Sequence, residues 1–225
     1  MSAAEGTILA FDTATSAVSV ALGTADGRPL AMTAWPAGHR HGEQLLPSIE
    51  RLLAEAGVAR GQLRGIVVGT GPGAFTGLRV GLATAKAMAH GLGCAIAGVA
   101  TSAALIAAAG GEPERVVLLL PAGPSDRIVA RHGEAARLLP GGTEPELRAG
   151  DELVAVDLAG RAPGDALARG ERAREGLGRE LLRLGATRLR AGGDDLATLV
   201  PEYVTLPRGV AARVAGEVAW SHGRR

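Results

Sequence analysis

Hydrophobic positions near the start of the chain recur every second residue, then every third or fourth. "TILAF", "AVSVAL" and "PLAMTAW" are short apolar, partly β-branched runs, separated by the turn "DTATS" and by Asp26-Gly27, a hairpin signal. They predict strands at 7–11, 17–22 and 29–35. In "EQLLPSIERLLAEAG", Leu45, Leu46, Ile49, Leu52, Leu53 and Ala56 fall on one helical stripe. Proline is tolerated only in a first turn, so Pro47 puts the start of this helix near Gln44, with a stop at Gly57. "GIVVG" reads as a buried strand, "GTGPGAFTG" as the loop behind it, and "LRVGLATAKAMAHG" as a second helix; "CAIAGV" and "TSAALIAAAG" follow as strand and helix. After Gly110 the turn-rich "GGEPE" breaks the pattern. "RVVLLL", "RIVAR" and "ELVAVDLA" then read as strands, and "GDALARGERAREGLGRELLRLGA" as a long polar helix interrupted by glycine. The last stretch, "AWSHGRR", is expected to fray. The alternation predicts an α/β chain in two units, 1–109 and 110–225, with the C-terminal segment packing back on the first.

Composition narrows the picture. Of 225 residues, 47% are hydrophobic and only 2% aromatic, so the core is built from Ala, Val, Leu and Ile. A net charge of +1 excludes a strong basic field for wrapping nucleic acid. The Arg-rich stretch from Arg161 to Arg190 reads as a solvated helix face, with a local basic patch as the alternative. The single cysteine, Cys94, lies in an apolar run and reads as a small core residue; a disulfide scaffold within the chain is ruled out. The N-terminus lacks the basic and apolar regions of a signal peptide, and no run of about 20 apolar residues predicts a membrane span. A cytoplasmic protein is the expectation.

"GTGPGAFTGLRVG", residues 69–81, resembles a phosphate-cradling loop. It fits neither phosphate template. A P-loop needs a lysine after its last glycine, and Leu78 and Arg79 follow Gly77. A dinucleotide loop needs a third glycine where Thr76 or Ala74 stands. The helix behind the loop carries a different message. Gly77, Gly81, Ala85 and Ala89 recur at four-residue intervals and share one face. A row of small residues lets another helix approach closely. Two readings stand: packing inside the chain, for instance against helix 44–56, or one flat face offered by both helices to a protein partner.

Other chemistry is sparse. Asp12, Thr13, Thr15 and Ser16 sit in a turn between strands, where a carboxylate beside hydroxyls can hold Mg²⁺-phosphate, or simply form the turn. His39 and His41 could share a zinc but have no third ligand nearby, and read as a solvated loop. No serine has a nucleophile-elbow context. No catalytic set emerges.

Taken together, "ILAFDTATSAVSVAL", "HGEQLLPSIERLL" and "VVGTGPGAFTGLRVGLATAKAMAHGLGCAIAGVATSAAL" resemble the TsaB (YeaZ) family of tRNA threonylcarbamoyladenosine biosynthesis proteins. The likeness runs from about 7 to 109, with a weaker echo at "PEYVTLP". It implies the two-lobed actin/Hsp70/sugar-kinase-like (ASKHA) α/β fold. It further implies a non-catalytic scaffold that pairs with the transferase TsaD and, in a ternary complex, with TsaE. That complex makes the threonylcarbamoyl (t6A) modification of adenosine 37 in tRNAs reading ANN codons. A homodimer is expected to compete for the same face, contact with tRNA to be indirect, and no cofactor or metal to be needed. The implied partner face comprises Leu45, Leu46, Ile49, Leu53, Phe75, Gly77, Leu78, Arg79, Gly81, Leu82, Ala85 and Met88 on helices 44–56 and 76–90. On that reading Leu78→Glu or Gly81→Leu would block the partner and spare the fold. Asp12, Thr13 and Thr15 are the vestigial nucleotide-binding candidates. The catalytic relative carries a histidine pair where this chain has Thr101 and Leu105, so its metal site is not expected here. Departures are His41-Gly42 for the usual His-Ser, and "LPAGPSD" where an Asp-Ala-Arg motif is usual. Two alternatives stand beside the scaffold: an ATP-using enzyme of the same fold, and a peptidase of the M22 type.

Overall fold

The computed structural model describes residues 6–37 and 41–204, with side chains from 43 onward in the second segment. His39, the side chain of His41 and the fraying "AWSHGRR" lie outside what is described.

Strands β1 (Thr7–Asp12), β2 (Ala17–Thr24) and β3 (Pro29–Pro36) form an antiparallel meander. Helix α1 (His41–Glu55) leads to β4 (Leu63–Gly69), and α2 (Phe75–Leu92) to β5 (Ala95–Val99); β4 runs parallel to β1, and β5 to β4. The first sheet is therefore five-stranded, in the order β3-β2-β1-β4-β5. Helix α3 (Thr101–Ala108) connects it to a second, four-stranded sheet of order β8-β7-β6-β9. Its strands are β6 (Val116–Pro121), β7 (Arg127–Arg131), β8 (Arg137–Leu139) and β9 (Glu152–Ala155). Helix α4 (Gly164–Arg190) closes the described chain's regular structure. The second sheet repeats the plan of the first. Three strands form a meander, and the first of them then takes a parallel neighbour. This doubling is the two-lobed α/β arrangement that the resemblance implies.

The strand period of two assigns the core. Leu9 and Phe11 of β1 face α1 and α2, where Leu45, Ile49, Leu52, Leu82, Ala85 and Ala89 cover them. Ile8 and Ala10 face the opposite way, against Leu177, Leu181, Leu182 and Ala186 of α4. The same cluster takes in Leu105 of α3 and Val116, Leu118 and Leu120 of β6, so α3 and α4 are packed between the two sheets. Val117, Leu119 and Val129 point to the far side of the second sheet, where Leu158 and Ala166 cover them.

Several elements differ from expectation. Helix α1 starts at His41, before Gln44, and Pro47 lies inside it. Strand β8 carries only three residues, too short to show a period. Strand β9 ends at Ala155, short of the apolar run that suggested it. Helix α4 is continuous through its glycines because these are contact points. A Cβ at Gly170 would overlap the Ala155 carbonyl, and one at Gly185 the Val67 side chain. Among the described residues no helix is long and apolar enough to cross a membrane.

Candidate functional site

Parallel pairing of β1 and β4 sets their C-terminal ends side by side, so the "DTATS" turn and the glycine loop meet. Asp12 ends β1 with 0% exposure. Both of its carboxylate oxygens are engaged: Ala14 N donates to Oδ1 at 2.7 Å and Thr101 Oγ1 donates to Oδ2 at 2.5 Å. Thr101 in turn accepts from Gly71 N at 3.0 Å. Burial pushes the Asp12 carboxyl above the usual carboxylate range, and the bonds from Thr101 and Ala14 only partly oppose this. Next to it, Thr13 Oγ1 donates to the Gly77 carbonyl (2.7 Å), Ala74 N donates to the Ala14 carbonyl (2.7 Å), and Thr15 Oγ1 to the Ala17 carbonyl (2.8 Å).

This contact accounts for the glycines. A Cβ at Gly69 would overlap the Asp12 carboxylate, one at Gly73 would overlap Ala14, and those at Gly77 and Gly81 would overlap Thr13. The row 69, 73, 77 and 81 is thus shaped to residues 12–14. Gly71 has another reason: its φ of +105° is one that residues with a Cβ rarely adopt.

Beyond the turn opens a cleft of about 1040 Å³. Its walls are the β1–β2 turn at 14–16, the loop at 72–75, the β6–β7 turn at 121–126, Asp157, and residues 202–204. The two β-hairpin turns, one from each sheet, thus share it. Ser16 of the first turn is tied to Asp157, which follows β9 of the second sheet: Ser16 N donates to Asp157 Oδ2 at 2.6 Å, and Ser16 Oγ donates to Oδ1. Arg174 Nη1 of α4 reaches both, at 3.0 Å from Ser16 Oγ and 3.3 Å from Asp157 Oδ1. Asp157 holds φ at +58°, a strained value for a residue with a Cβ. Arg161 Nη1 donates to the carbonyls of Gly123 and Pro124, both at 2.9 Å, and so pins the second turn. The cleft wall carries the carboxylates Asp126, Asp157 and Glu202 and no Lys, Arg or His among the described residues. Burial raises Glu202 above its usual range.

The nucleotide candidates therefore part company. Thr15 lines the cleft, whereas Asp12 and Thr13 are turned into the chain and spent on Ala14, Thr101 and Gly77. Thr101, at the expected histidine position, is a link in that buried chain, and Leu105 is 0% exposed in the core. No group of three His, Cys, Asp or Glu side chains among the described residues is placed to hold a metal ion.

The two faces of α1 and α2 are also sorted. Leu45, Ile49, Leu53, Leu82 and Ala85 are buried against the first sheet within this one chain, and Leu78, 1% exposed, lies beside Gly71 of the loop. The Gly77/Gly81 row packs on Thr13 and has no room for a second helix. Leu78→Glu or Gly81→Leu would accordingly damage the fold itself, a correction to the expectation above. What α1 and α2 present outward is Leu46, at 48% exposure, with Arg79, Ala83 and Ala87, flanked by the partly buried Val80 and Met88. Phe75 is partly buried too: its ring lies 5.1 Å from that of Tyr203, and the Arg79 guanidinium stands 5.3 Å over it. Val80, Ala83, Ala87 and Tyr203 were not among the sequence candidates. The alanines were legible as a second four-residue row in "ATAKAMA"; the pairing of Tyr203 with Phe75, distant in sequence, was not.

Residues 36–163 match the family model described as TsaD, tRNA N6-adenosine threonylcarbamoyltransferase. An uncharacterized protein of Mycobacterium leprae is 45% identical over 95 residues, which are 41% of this chain and 26% of that protein. The tRNA threonylcarbamoyladenosine biosynthesis protein TsaB of Escherichia coli is 38% identical over 95 residues, 42% of this chain and 40% of that protein. The aligned part of the chain thus spans less than half the length of these curated relatives. The solved structure of YeaZ from Pseudomonas aeruginosa superimposes with a TM-score of 0.65 at 26% identity, covering 88% of this chain and 99% of that one. With a family model matching more than half its length, the chain belongs to the TsaD-type threonylcarbamoyltransferase family, and its likenesses place it with the TsaB/YeaZ members of that family.

Proposed function

We propose that this chain is a non-catalytic subunit in t6A formation at adenosine 37 of tRNAs reading ANN codons, acting as the scaffold partner of a TsaD-type transferase. The observation that carries the non-catalytic part is the state of Asp12. Its two oxygens accept from Ala14 and Thr101, it is 0% exposed, and it is not among the residues that line the cleft, so it is not presented to a metal-bound phosphate there. Among the described residues, the cleft lining adds three carboxylates, of which Asp157 is paired with Arg174, and no cationic side chain to bind a phosphate directly. In this reading the transferase docks on the outer face of α1 and α2, through Leu46, Phe75, Arg79, Val80, Ala83, Ala87 and Met88. A TsaE-type ATPase joins the pair, tRNA is met through the complex, and the complex works in the cytoplasm.

The test is reconstitution. The chain is combined with cognate TsaD, TsaE and the synthase TsaC, with threonine, bicarbonate, ATP and unmodified tRNA, and t6A is read by mass spectrometry. Product is expected only when the chain is present, with no ATP turnover by the chain alone. Ala87→Glu should abolish product and co-elution with TsaD while leaving the circular dichroism spectrum unchanged, because it sets a charge on a flat exposed face. Undiminished product without the chain would overturn the proposal. ATP hydrolysis by the isolated chain would favour an enzyme in its own right.

A further inference from the structure

The described chain ends on the wall of the cleft. After α4, Asp194 N donates to the Ile96 carbonyl at 2.8 Å and Gly98 N to Asp194 Oδ2 at 2.7 Å, which fastens the returning chain to β5. Leu196 and Leu199 then pack on the core beneath α1 and α2. Glu202 N donates to the Thr70 carbonyl at 2.7 Å, Tyr203 stacks on Phe75, and Val204 packs against the core between the sheets. These contacts deliver Glu202, Tyr203 and Val204 to the cleft lining. The chain that follows Val204 therefore starts from a fixed point on the cleft wall.

That following chain is cationic. Residues 205–225 carry Arg208, Arg213, Arg224 and Arg225 against one acid, Glu217. Arg208 comes first, in "TLPRGV". The stretch from Val204 to Arg208 spans at most about 14 Å when fully extended, so the Arg208 backbone stays within that distance of the wall in any conformation. The cleft supplies the opposite sign. Asp126, Asp157 and Glu202 line it, and among the described residues no Lys, Arg or His does. Asp157 is paired with Arg174. Asp126, on the turn of the second sheet, accepts only neutral donors, Gly141 N at 2.9 Å and Ser125 Oγ at 3.3 Å. Between the carboxylates the walls are apolar, with Pro72, Phe75, Pro121 and Pro124. Around Arg208 stand Leu206, Pro207 and Val210. A guanidinium flanked by apolar residues matches this lining in both charge and polarity. The tether favours it further. A segment joined to the wall by so short a link acts at an effective concentration of millimolar order, which a free cation has to reach before it competes.

We infer that the cleft holds the chain's own segment 205–210, with the Arg208 guanidinium paired to Asp126 across from the wall it starts on. The segment is an internal plug, and a ligand entering the cleft has to displace it. The inference rests on the cleft lining and on the sequence that follows it, and does not depend on the function proposed above.

Carbodiimide coupling of the full chain tests it. Lys86 is the one lysine in the sequence, so Arg208→Lys adds a single traceable side-chain amine and keeps the charge. Mass spectrometry of the digest should show an amide between position 208 and Asp126 or Asp157. With isotopically heavy and light chains mixed, that link should lie within one molecule. Amide exchange in the 121–126 turn gives a second reading, with folding checked by circular dichroism. It should speed up several-fold in Arg208→Glu, stay slow in Arg208→Lys, and speed up in wild type at high salt, where the ion pair is screened. Failure to link position 208 to either aspartate overturns the inference, and so do links that run only between heavy and light chains, which would put a second copy's segment in the cleft. If the exchange and coupling results disagree, or Arg208→Glu does not fold, the coupling result decides.

Discussion

Gly77 shows how much one missing methyl group can carry. It lies in the first turn of α2, directly over Thr13, whose hydroxyl donates to the Gly77 carbonyl at 2.7 Å. Gly77→Ala puts a Cβ into the Thr13 carbonyl, and either the helix or the turn must move. The expected cost is about 1–3 kcal/mol, read as a lower urea midpoint. Gly91→Ala in the same helix meets nothing and should be neutral or mildly stabilising. Asp12 gives a pH signature. Burial raises its pKa in the folded chain above the unfolded value, so the folded state binds the proton more tightly. Its favourable contribution is therefore complete below the ordinary carboxylate range and is lost as pH rises through the raised value. Asp12→Asn should flatten that fall, so the variant gains stability relative to wild type between the ordinary carboxylate range and neutrality, as measured by denaturation at several pH values. Equal pH profiles for the two proteins would show that the carboxylate is not charged at a cost.

Among the elements, helix α4 carries the greatest span of contact. Leu182 lies against Gly23 of β2, while Gly170 lies on Ala155 of β9, so one helix touches both sheets. Leu182→Ala is expected to cost about 2–5 kcal/mol, since its neighbours belong to a sheet that cannot collapse into the gap. Most strands and helices were legible because their periods were strong: β1, β2 and β6 are apolar runs bounded by turns, and α1 shows its stripe plainly. The side of α2 that faces inward was harder to read. Both 77/81/85/89 and 83/87 recur every four residues, and a helix reports its faces but not which one meets a neighbour. The deciding fact is the approach of Thr13, a residue 64 positions away. The roles of Thr101 and Asp157 escaped for the same reason: each is defined by a long-range partner, Asp12 for one and Ser16 for the other. Strand β8 was too short to carry any period.

At the scale of the whole molecule, Ser16, Asp157 and Arg174 tie the two sheets across the cleft. Asp157→Ala removes the acceptor of both Ser16 bonds and of one Arg174 bond, leaving only the Arg174–Ser16 contact. It should lower stability by about 1–3 kcal/mol and speed amide exchange in the 121–126 turn. Unchanged exchange there would mean that the Arg161 clamp alone holds the turn.

The placement of α4 also has a consequence for how the protein is made. Ile8, Ala10, Ala21 and Val67 belong to strands completed early, yet their cover, Leu177 to Ala186, is encoded more than a hundred residues later. During synthesis the first sheet can close with α1 and α2 on one side while its other side stays bare and sticky. Chaperones have a natural footing on that side until α4 leaves the ribosome. A nascent chain stalled near residue 109 should be aggregation-prone and protease-sensitive, and should settle only once translation passes Arg190.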